Sequence, residues 1–344
     1  MFVSLFHITY NRYNNRATLK RLRKNGDHMK HKIKTFSILA SITMIVIHII
    51  NRVYYSVYSV KSYLNSSDNH YYEWRFGKIR YIKKGSGTPL LLIHDLTPGS
   101  SNYEFHKLIE ALSKNYEVYA LDLIGYGLSE KPNMTYTNYL YVQLLIDFIK
   151  NVIGKRTNIL ATGDAAPIAV MACHNDPEVI GKMIYINPQS LYQLNQIPSK
   201  QTKALKLLID CPIIGTFVYN LLTNRSTLER NFTEEYFHNP INIEEKDILT
   251  YLESAHTPNY TSKYAFSSYI GRYVNANIIH ALKEINNSIY IIAGEEKKDN
   301  HTIIENYEYY NNAIESIFIS KTKHLPHLER PEAVLKQIET FLTF

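Results

Sequence analysis

The stretch Asn158–Val179, NILATGDAAPIAVMACHNDPEV, places three residues of different chemical capacity at a predicted turn from a strand into a helix. Among Gly163, Asp164 and Ala165, only the aspartate has a side chain that can attack carbon as a nucleophile. One large group of enzymes carries a serine at the apex of such a turn, and this stretch contains no serine. The turn has therefore lost its nucleophile, uses Asp164 instead, or is an ordinary strand–helix connection.

The segments that must position this turn alternate between predicted strands and predicted helices. The period-two segment EWRFGKIRYIKKGSG turns at Gly77 and predicts a hairpin. Short apolar runs typical of strands buried on both faces follow, with helical stretches between them. The predicted strands are PLLLIH (89–94), EVYALDL (117–123), NILAT (158–162) and KMIYINP (182–188), and the predicted helices cover 104–114, about 137–152 and about 165–174. This alternation indicates a parallel sheet with crossover helices.

From Gln189 to about Ile285, helical periodicity replaces the alternation. The segments SIYIIAG and SIFIS then resume the sheet, and PEAVLKQIETFL closes the chain as a helix that begins at a proline. A helical block inserted into such a sheet predicts a cap over the carboxyl edge of the strands, where folds of this kind bind ligands.

The net charge of +7 is unevenly distributed. Residues 1–34 hold nine Lys or Arg and one acid, which gives +8. The rest of the chain holds 29 basic and 30 acidic residues, which gives −1. Since the folded part lacks a basic surface for phosphate backbones, we expect no nucleic-acid partner.

The run FSILASITMIVIHII, Phe36–Ile50, contains no formal charge and follows the basic tail directly. With its neighbours it reaches the roughly 20 residues that a membrane-spanning helix needs. We predict an uncleaved single-pass anchor over 35–55, with a cleaved signal peptide as the alternative. The positive tail should stay in the cytoplasm, so the expected location is the cell membrane with the domain on the extracytoplasmic side.

Cys173 and Cys211 are 38 positions apart and form no CxxC motif. This spacing indicates neither a metal cluster nor a disulfide framework. The two thiols either pair in an oxidising compartment or remain free and buried. We expect no metal and no other cofactor.

Three further segments carry a resemblance to the α/β-hydrolase superfamily. LLLIHDLTPGSSNYEF is similar to the family's oxyanion strand and loop, and YALDLIGYGLSEKP to its D-x-x-G-x-G-x-S segment. TKHLPHLERPEAV looks like the terminal histidine segment, with His324 at the catalytic position. The resemblance covers about residues 72–344 and implies an α/β-hydrolase fold, with a mostly parallel eight-stranded sheet flanked by helices and a helical cap. The transmembrane helix predicted from the apolar run precedes this fold.

The expected organisation therefore has six parts. These are a basic cytoplasmic tail (1–34), a transmembrane anchor (35–55), a linker (56–71), a first core segment (72–188), a helical cap (189–285) and a second core segment (286–344).

The chemistry that this resemblance implies needs a nucleophile on a strained turn, a histidine that takes its proton, an acid that orients the histidine, and two backbone N–H groups for the oxyanion. His324 would be the histidine. The acid should stand about three residues after Gly294, but Lys297 occupies that position. Glu295, Glu296 and Asp299 flank it, and one of them would serve after a loop shift of one or two residues, or the segment is a solvated charged turn.

The position of the missing nucleophile has three alternatives. An apex at Gly163 matches Ala165 and Ala166 to the family's pair of glycines. An apex at Ala165 matches Gly163 to the first glycine. An apex at Asp164 would make the aspartate the nucleophile, as in the dehalogenase and epoxide-hydrolase branches. Glycine and alanine cannot attack carbon and have no proton for His324 to take.

The oxyanion strand departs from the family as well. Asp95 follows His94 where the family has glycine, so a carboxylate would project toward the place where negative charge develops. Such a charge opposes the stabilisation on which acyl transfer depends. The N–H group of Leu96 and that of the residue after the apex remain available as donors.

We therefore expect a membrane-anchored protein of esterase- or lipase-like hydrolase ancestry with weak or no turnover. If it has no turnover, it is a pseudoenzyme. One alternative is an active hydrolase that uses Asp164 with His324. The other is a non-catalytic protein that binds a ligand or a partner. The expected ligand is a small apolar or ester-like molecule beneath the cap.

Overall fold

The computed structural model describes residues 2–58, 62–65, 68–257 and 261–343, and for residues 2–28 only the backbone. It comprises two compact units, Met1–Ile50 and Asn51–Phe344. The first unit is helical, and its helix α1 (Phe2–Tyr58) continues into the second. The helix therefore ends three residues beyond the predicted end of the anchor.

Within α1, the segment Met29–Tyr58 is long and apolar enough to cross a membrane, with a mean hydropathy of 2.0. None of its most apolar window is buried inside the protein. A signal sequence near the N-terminus has the same properties, so the helix is consistent with either of the two predicted roles.

The second unit is built on one eight-stranded sheet in the order β1-β2-β4-β3-β5-β6-β7-β8. β1 and β2 form the predicted antiparallel hairpin, and β2 pairs with β4 in antiparallel fashion. From β4 and β3 to β8 all pairs are parallel. The strands are β1 Asn69–Trp74, β2 Gly77–Lys84, β3 Thr88–Ile93, β4 Tyr116–Leu121, β5 Thr157–Thr162, β6 Ile180–Ile186, β7 Ile289–Gly294 and β8 Ile314–Ile319.

Helices cover both faces of the sheet. The helices of the described core are α2 His106–Leu112, α3 Asn138–Phe148, α4 Ala166–Asn175, α12 Asn300–Tyr310, α13 Pro326–Glu329 and α14 Pro331–Thr343. α2 packs with α14 on one face, while α3 packs with α4 on the other.

Between β6 and β7, the described residues form helices and no strand. These helices are α5 Leu191–Leu194, α6 Lys200–Asp210, α7 Ile214–Leu222, α8 Arg225–Asn231, α9 Glu245–His256, α10 Ser262–Ile270 and α11 Ile279–Glu284. The eight-stranded, mostly parallel α/β fold with a helical insertion was thus predicted correctly.

The continuous apolar run of β3 shows why such a sequence forms a strand at the centre of the sheet. Leu91 and Ile93 belong to the apolar core on one face, and Leu90 and Leu92 to the core on the other. Successive side chains of a strand point to opposite faces, so a strand covered by helices on both sides is apolar throughout.

Two predicted helices differ from the structure at their ends. The segment expected as a helix over 104–114 begins with a 3-10 turn, Asn102–Phe105, in which the side chain of Ser101 accepts the N–H of Tyr103. The helix α3 continues as a π turn, Ile149–Ile153, and ends at Gly154, whose φ of 69° is readily available to glycine.

The sheet brings the ends of β3 and β5 together. The two strands are parallel neighbours, with Ile93 opposite Ala161. Asp95 and Gly163 each lie two residues beyond those positions, so they follow adjacent strands at the same carboxyl edge. This is the edge at which α/β folds of this kind bind ligands.

Candidate active site

The Asp95 carboxylate is the centre of the site. Its Oδ1 accepts hydrogen bonds from the backbone N–H of Leu96 at 2.7 Å and that of Asp164 at 2.8 Å. Its Oδ2 lies 2.9 Å from Nε2 of His324. Two backbone donors and a histidine thus converge on one buried side chain.

Gly163 leaves the space that this carboxylate fills. It has a φ of 51°, in the left-handed region that favours glycine, at the turn from β5 into a short 3-10 segment (Gly163–Ala165) and α4. A Cβ added there would lie 2.3–2.5 Å from the carboxylate atoms of Asp95. The side chain of Asp95 therefore stands where a side chain at position 163 would begin.

His324 reaches the site from the loop after β8. Its side chain is 16% exposed, and its ring centroid lies 5.5 Å from that of Tyr236 in the cap. Asn187, at the end of β6, fixes this loop by donating through Nδ2 to the carbonyl groups of Lys323 at 2.9 Å and of His324 at 2.7 Å. Oδ1 of Asn187 accepts the N–H of Gly294, which connects the loops after three neighbouring strands.

The electrostatics favour a charged Asp95 beside a neutral His324. Burial opposes the ionisation of Asp95, but the His324 ring and the two backbone donors outweigh burial and lower the pKa of this carboxyl. Burial and the positive charge of Lys297 lower the pKa of His324, and they outweigh its contact with Asp95. A neutral His324 ring that donates through Nε2 to the Asp95 carboxylate agrees with the lowered pKa of both groups.

A second buried carboxyl, Glu104, contacts the backbone of Asp95. Its Oε2 accepts the N–H of Asp95 at 3.1 Å and the hydroxyl of Thr162 at 2.8 Å. Its Oε1 accepts the hydroxyl of Tyr251 in the cap helix α9 at 3.2 Å. Burial, then the charge of Asp95, raise the pKa of Glu104 to about 7.

The three predicted apex residues have different surroundings. Gly163 faces the carboxylate of Asp95, whereas Ala165 is fully buried in the apolar core. The side chain of Asp164 lies in the cavity, where its Oδ1 accepts Nε2 of Gln189 at 3.2 Å. Burial, then the charge of Asp95, raise its pKa to about 7. In the described structure His324 hydrogen-bonds to Asp95 and not to Asp164.

The predicted orienting acids do not meet His324. Glu296 is exposed, and Asp299 lies at the start of α12, where it lines the cavity. Neither makes a hydrogen bond to the histidine ring within the described ranges. Lys297 lines the cavity instead, and burial lowers its pKa despite the nearby charges of Asp95 and Asp164. A cation thus stands on the loop that was expected to supply the acid.

A cavity of about 660 Å³ opens over these residues. Its lining mixes polar and apolar surface and combines the core with the cap, from which Tyr236 and Tyr269 come. The other lining residues include Thr97, Gln189, Gln193, Asn231, Glu235, Lys297, Lys298, Asp299, Thr302 and Asn306. A cavity of about 300 Å³ shares Asp164, Gln189 and Tyr269 with it. These polar groups favour a ligand with hydrogen-bonding atoms over a purely apolar one.

The D-x-x-G-x-G-x-S segment is a framework for the site. Asp122 forms a buried salt bridge with Arg80 at 3.1 Å and accepts the N–H groups of Asn102 at 2.7 Å and Leu128 at 2.9 Å. Ser129 donates its hydroxyl to the carbonyl of Asp122 at 2.6 Å. These bonds connect the loops after β3 and β4, so the segment holds the Asp95 loop in place.

One group of described residues has the composition of a metal site. His174, His280 and Glu284 place one ligand atom each within 4.8 Å of one another, on the surface. None of them lines the 660 Å³ cavity. Cys173 and Cys211 are both free, the first buried and the second exposed, so the structure has neither of the two alternatives, a disulfide between them or a pair of buried thiols.

Sequence reasoning identified Asp95 and Gly163 as departures from the family but treated them separately. The two departures compensate each other. Compared with the family pattern, the chain lacks a side chain at position 163 and has gained one at position 95, which follows the neighbouring strand. Because Asp95 and Gly163 follow adjacent strands of the predicted parallel sheet, their proximity could have been predicted from the sequence. Glu104, Asn187 and Tyr269 gave no signal, since isolated polar residues of these types are common in loops and helices.

Comparisons with known proteins agree with this architecture. A model of the alpha/beta hydrolase family matches residues 90–337. The chain is 34% identical over 101 residues to 2-hydroxy-6-oxo-6-(2'-aminophenyl)hexa-2,4-dienoic acid hydrolase of Metapseudomonas resinovorans, over 28% of this chain and 35% of that protein. It is 44% identical over 55 residues to a soluble epoxide hydrolase of a Corynebacterium species, over 16% of this chain and 18% of that protein. The chain thus spans about a third or less of these curated relatives.

Solved structures are similar over a longer range. The meta-cleavage product hydrolase of Pseudomonas fluorescens has a TM-score of 0.64 and 16% identity, over 80% of this chain and 97% of that chain. The epoxide hydrolase CorEH has a TM-score of 0.65 and 18% identity, over 80% and 98%. At these identities the similarity shows the fold alone. The match of the family model over most of the chain shows more: this chain belongs to the alpha/beta hydrolase family.

Proposed function

We propose that this chain is a membrane-anchored hydrolase in which the carboxylate of Asp95, rather than a serine of the elbow, is the nucleophile. The observation that carries the proposal is the placement of its two oxygens. Oδ1 lies between two backbone N–H donors, and Oδ2 faces His324. We propose this arrangement in place of the alternative in which Asp164 is the nucleophile, because Asp164 contributes its N–H group to the site.

The first step suits an electrophilic sp3 carbon that bears a leaving group. Oδ2 of Asp95 attacks the carbon, a C–O bond forms, and the leaving group departs with its bonding electrons. If the group is an epoxide oxygen, it stays on the neighbouring carbon and needs a proton. The hydroxyls of Tyr236 and Tyr269 line the cavity, and burial raises the pKa of Tyr236, so this hydroxyl remains a donor.

The second step returns the enzyme to its starting state. His324 takes a proton from water, and the water oxygen attacks Cγ of the Asp95 ester. The negative charge that develops on Oδ1 already lies between the N–H groups of Leu96 and Asp164. Collapse expels the alcohol, which takes the proton from His324, and leaves Asp95 as a carboxylic acid. This acid returns its proton to the tyrosinate that protonated the epoxide oxygen, or releases it to water when the leaving group was a halide. The ring must first move its proton from Nε2 to Nδ1, and its lowered pKa keeps it neutral for this purpose.

In this mechanism the N–H groups of Leu96 and Asp164 cannot take their usual role, which is to bind the oxygen of a substrate carbonyl. A substrate carbonyl cannot use the two N–H groups while Oδ1 occupies them. We therefore propose that acyl transfer through a serine is absent, and that turnover is slow because no acid on the Lys297 loop orients His324. One relative of similar sequence is a soluble epoxide hydrolase, which supports an alkylating substrate over an ester.

The test compares two isosteric substitutions in the full chain in detergent. The probes are styrene oxide, 1,2-dibromoethane and p-nitrophenyl acetate. We expect Asp95→Asn to lower hydrolysis of the first two by about a hundredfold or more. Asp164→Asn, the matched cavity variant, should retain activity within about threefold. A loss confined to Asp164→Asn would restore the Asp164 route and contradict the proposal.

A second candidate is a non-catalytic binding protein. The hydrogen bond from Nε2 of His324 to Asp95 favours it, since this bond engages the nitrogen that would activate water. The wild-type chain would then turn over none of the three probes, and the Asp95→Asn variant would show the same ligand binding in the cavity.

A further inference from the structure

The helices α6 and α7 of the cap expose large apolar side chains, and α6 also buries a charged one. On α6, Leu207 is 68% exposed, whereas the neighbouring Lys206 is only 8% exposed. Lys206 forms an ion pair with Asp210 at 2.5 Å, and Ser267 of α10 donates to the same carboxylate at 2.5 Å. A helix on the surface of a soluble domain normally turns its apolar side inward and its charged side outward.

The apolar surface continues on the next helix. α7 packs against α6 after a bend of 104° between their axes. We define the cap patch as the exposed apolar residues of the two helices, namely Leu205, Leu207, Leu208, Ile214, Leu221 and Leu222. Exposed apolar clusters of this kind mark surfaces that meet another apolar phase.

The chain itself connects this pair of helices to the apolar run of α1. Asn51, the first residue after that run, is buried and donates through Nδ2 to the carbonyl of Ile213 at 3.1 Å. Asn220 of α7 donates to Oδ1 of Asn51 at 3.0 Å. The segment that leaves the apolar run is thus hydrogen-bonded to both ends of α7. Asn51 follows the apolar run directly in the chain, so a bilayer crossed by that run would end within a few residues of Asn51.

We infer that the cap patch docks on the lipid bilayer, with its leucines and isoleucines at the boundary between headgroups and acyl chains. This inference rests on the proposed anchoring of α1. Lys200 and Lys203 are exposed on α6 and suit anionic headgroups. The cap that forms one wall of the cavity is then held against the membrane, so the substrate class includes amphiphilic molecules that partition into lipid.

Cys211, exposed between α6 and α7, provides a probe position, while Cys173 is buried. The full chain is labelled at Cys211 with a small thiol-reactive fluorophore and reconstituted as one copy per nanodisc of phosphatidylcholine and phosphatidylglycerol. Lipids with a spin label on the acyl chain quench a fluorophore that contacts them. We expect strong quenching in the wild-type chain and a decrease of at least about threefold in Leu207→Glu/Leu222→Glu.

The matched control is Ile241→Glu, which alters a highly exposed apolar residue of the cap outside α6 and α7 and should leave the quenching unchanged. Equal thermal midpoints of the variants confirm that they are folded. Absence of quenching in a chain that resists carbonate extraction would overturn the docking and leave the anchor intact. Release of the wild-type chain by carbonate would overturn the anchor itself. Absence of quenching combined with energy transfer between labelled copies in vesicles would assign the patch to self-association.

Discussion

At the scale of single residues, the site is an exchange between two neighbouring positions. Gly163 has the backbone conformation of a strained turn but no side chain, and Asp95 supplies a carboxylate into the space above it. Each of these two residues depends on the other. A side chain at position 163 would collide with the Asp95 carboxylate, and a glycine at position 95 would leave the space above Gly163 unfilled. The two residues should therefore be coupled.

This coupling is measurable in a double-mutant cycle. Gly163→Ser should destabilise the chain by about 2–4 kcal/mol, because its Cβ would overlap the Asp95 carboxylate and its positive φ is strained for serine. In the Asp95→Gly background the same substitution should cost about 1–3 kcal/mol less. Thermal unfolding of the four chains in detergent gives the coupling. Additive effects would show that the two side chains do not share one space.

Glu104 should make the stability depend on pH. Its pKa in the folded chain is about 7 against an ordinary 4.5, so between these values the folded state retains a proton that the unfolded chain releases. The stability that depends on this group is complete below about pH 4.5 and decreases as the pH rises to 7. Gln cannot ionise, so Glu104→Gln should gain on the order of 3 kcal/mol relative to wild type between pH 4.5 and 8.

The check is the difference in thermal midpoint between the two chains at several pH values. The difference should shift in favour of the variant by a few degrees as the pH rises. Gln keeps an acceptor for the N–H of Asp95 and the hydroxyl of Thr162, so the packing is matched. A difference that is constant with pH would show that Glu104 titrates in its ordinary range.

At the scale of elements, the sequence predicted the architecture well because one rule governs it. Strands with helices on both faces carry a continuous apolar run in their buried part, and β3, β5 and β6 each contain such a run. The helical insertion was equally visible from the change of period. The contact between Asp95 and His324 was not predictable in this way, since it joins positions 229 residues apart and depends on the path of a loop.

Asn187 is the residue that fixes this loop, and its removal tests the connection between elements. It has a φ of 48°, so Asn187→Gly keeps the backbone conformation and deletes only the side-chain bonds to Lys323, His324, Gly294 and Asn300. We expect a loss of about 3 kcal/mol or more, because buried backbone groups would lose their partners. Lys321→Gly is the matched control, because Lys321 is exposed and has a φ of 57°, and this substitution should not destabilise the chain. A change of less than about 0.5 kcal/mol would contradict the role of Asn187.

At the scale of the whole molecule, charge and hydropathy divide the chain into a basic tail, an apolar helix and a nearly neutral hydrolase domain. The sequence predicted this division directly, because composition needs no knowledge of packing. Which side of a membrane the domain occupies depends on the translocation of the chain, so it stays a prediction.

Two charges in the apolar helix test the anchor. Ile42→Lys/Ile45→Lys should move the chain from the carbonate-resistant membrane fraction to the soluble fraction, since each lysine near the centre of a span costs about 2.5–3.5 kcal/mol. Ile42→Leu/Ile45→Leu should remain in the membrane. If the lysine variant also resisted extraction, the segment would not be the anchor.

The nucleophilic role of Asp95 is tested most directly by the fate of the water oxygen. The full chain, in excess over styrene oxide or 1,2-dibromoethane, completes a single turnover in water enriched in oxygen-18, and the product and the proteolytic peptide that contains Asp95 are weighed by mass spectrometry. Because water attacks Cγ of the ester, the heavy oxygen should appear in Asp95, and the first product should carry an oxygen from the original carboxylate. Heavy oxygen in the first product with an unlabelled Asp95 would show that water attacks the substrate directly, and would contradict a carboxylate nucleophile at this position.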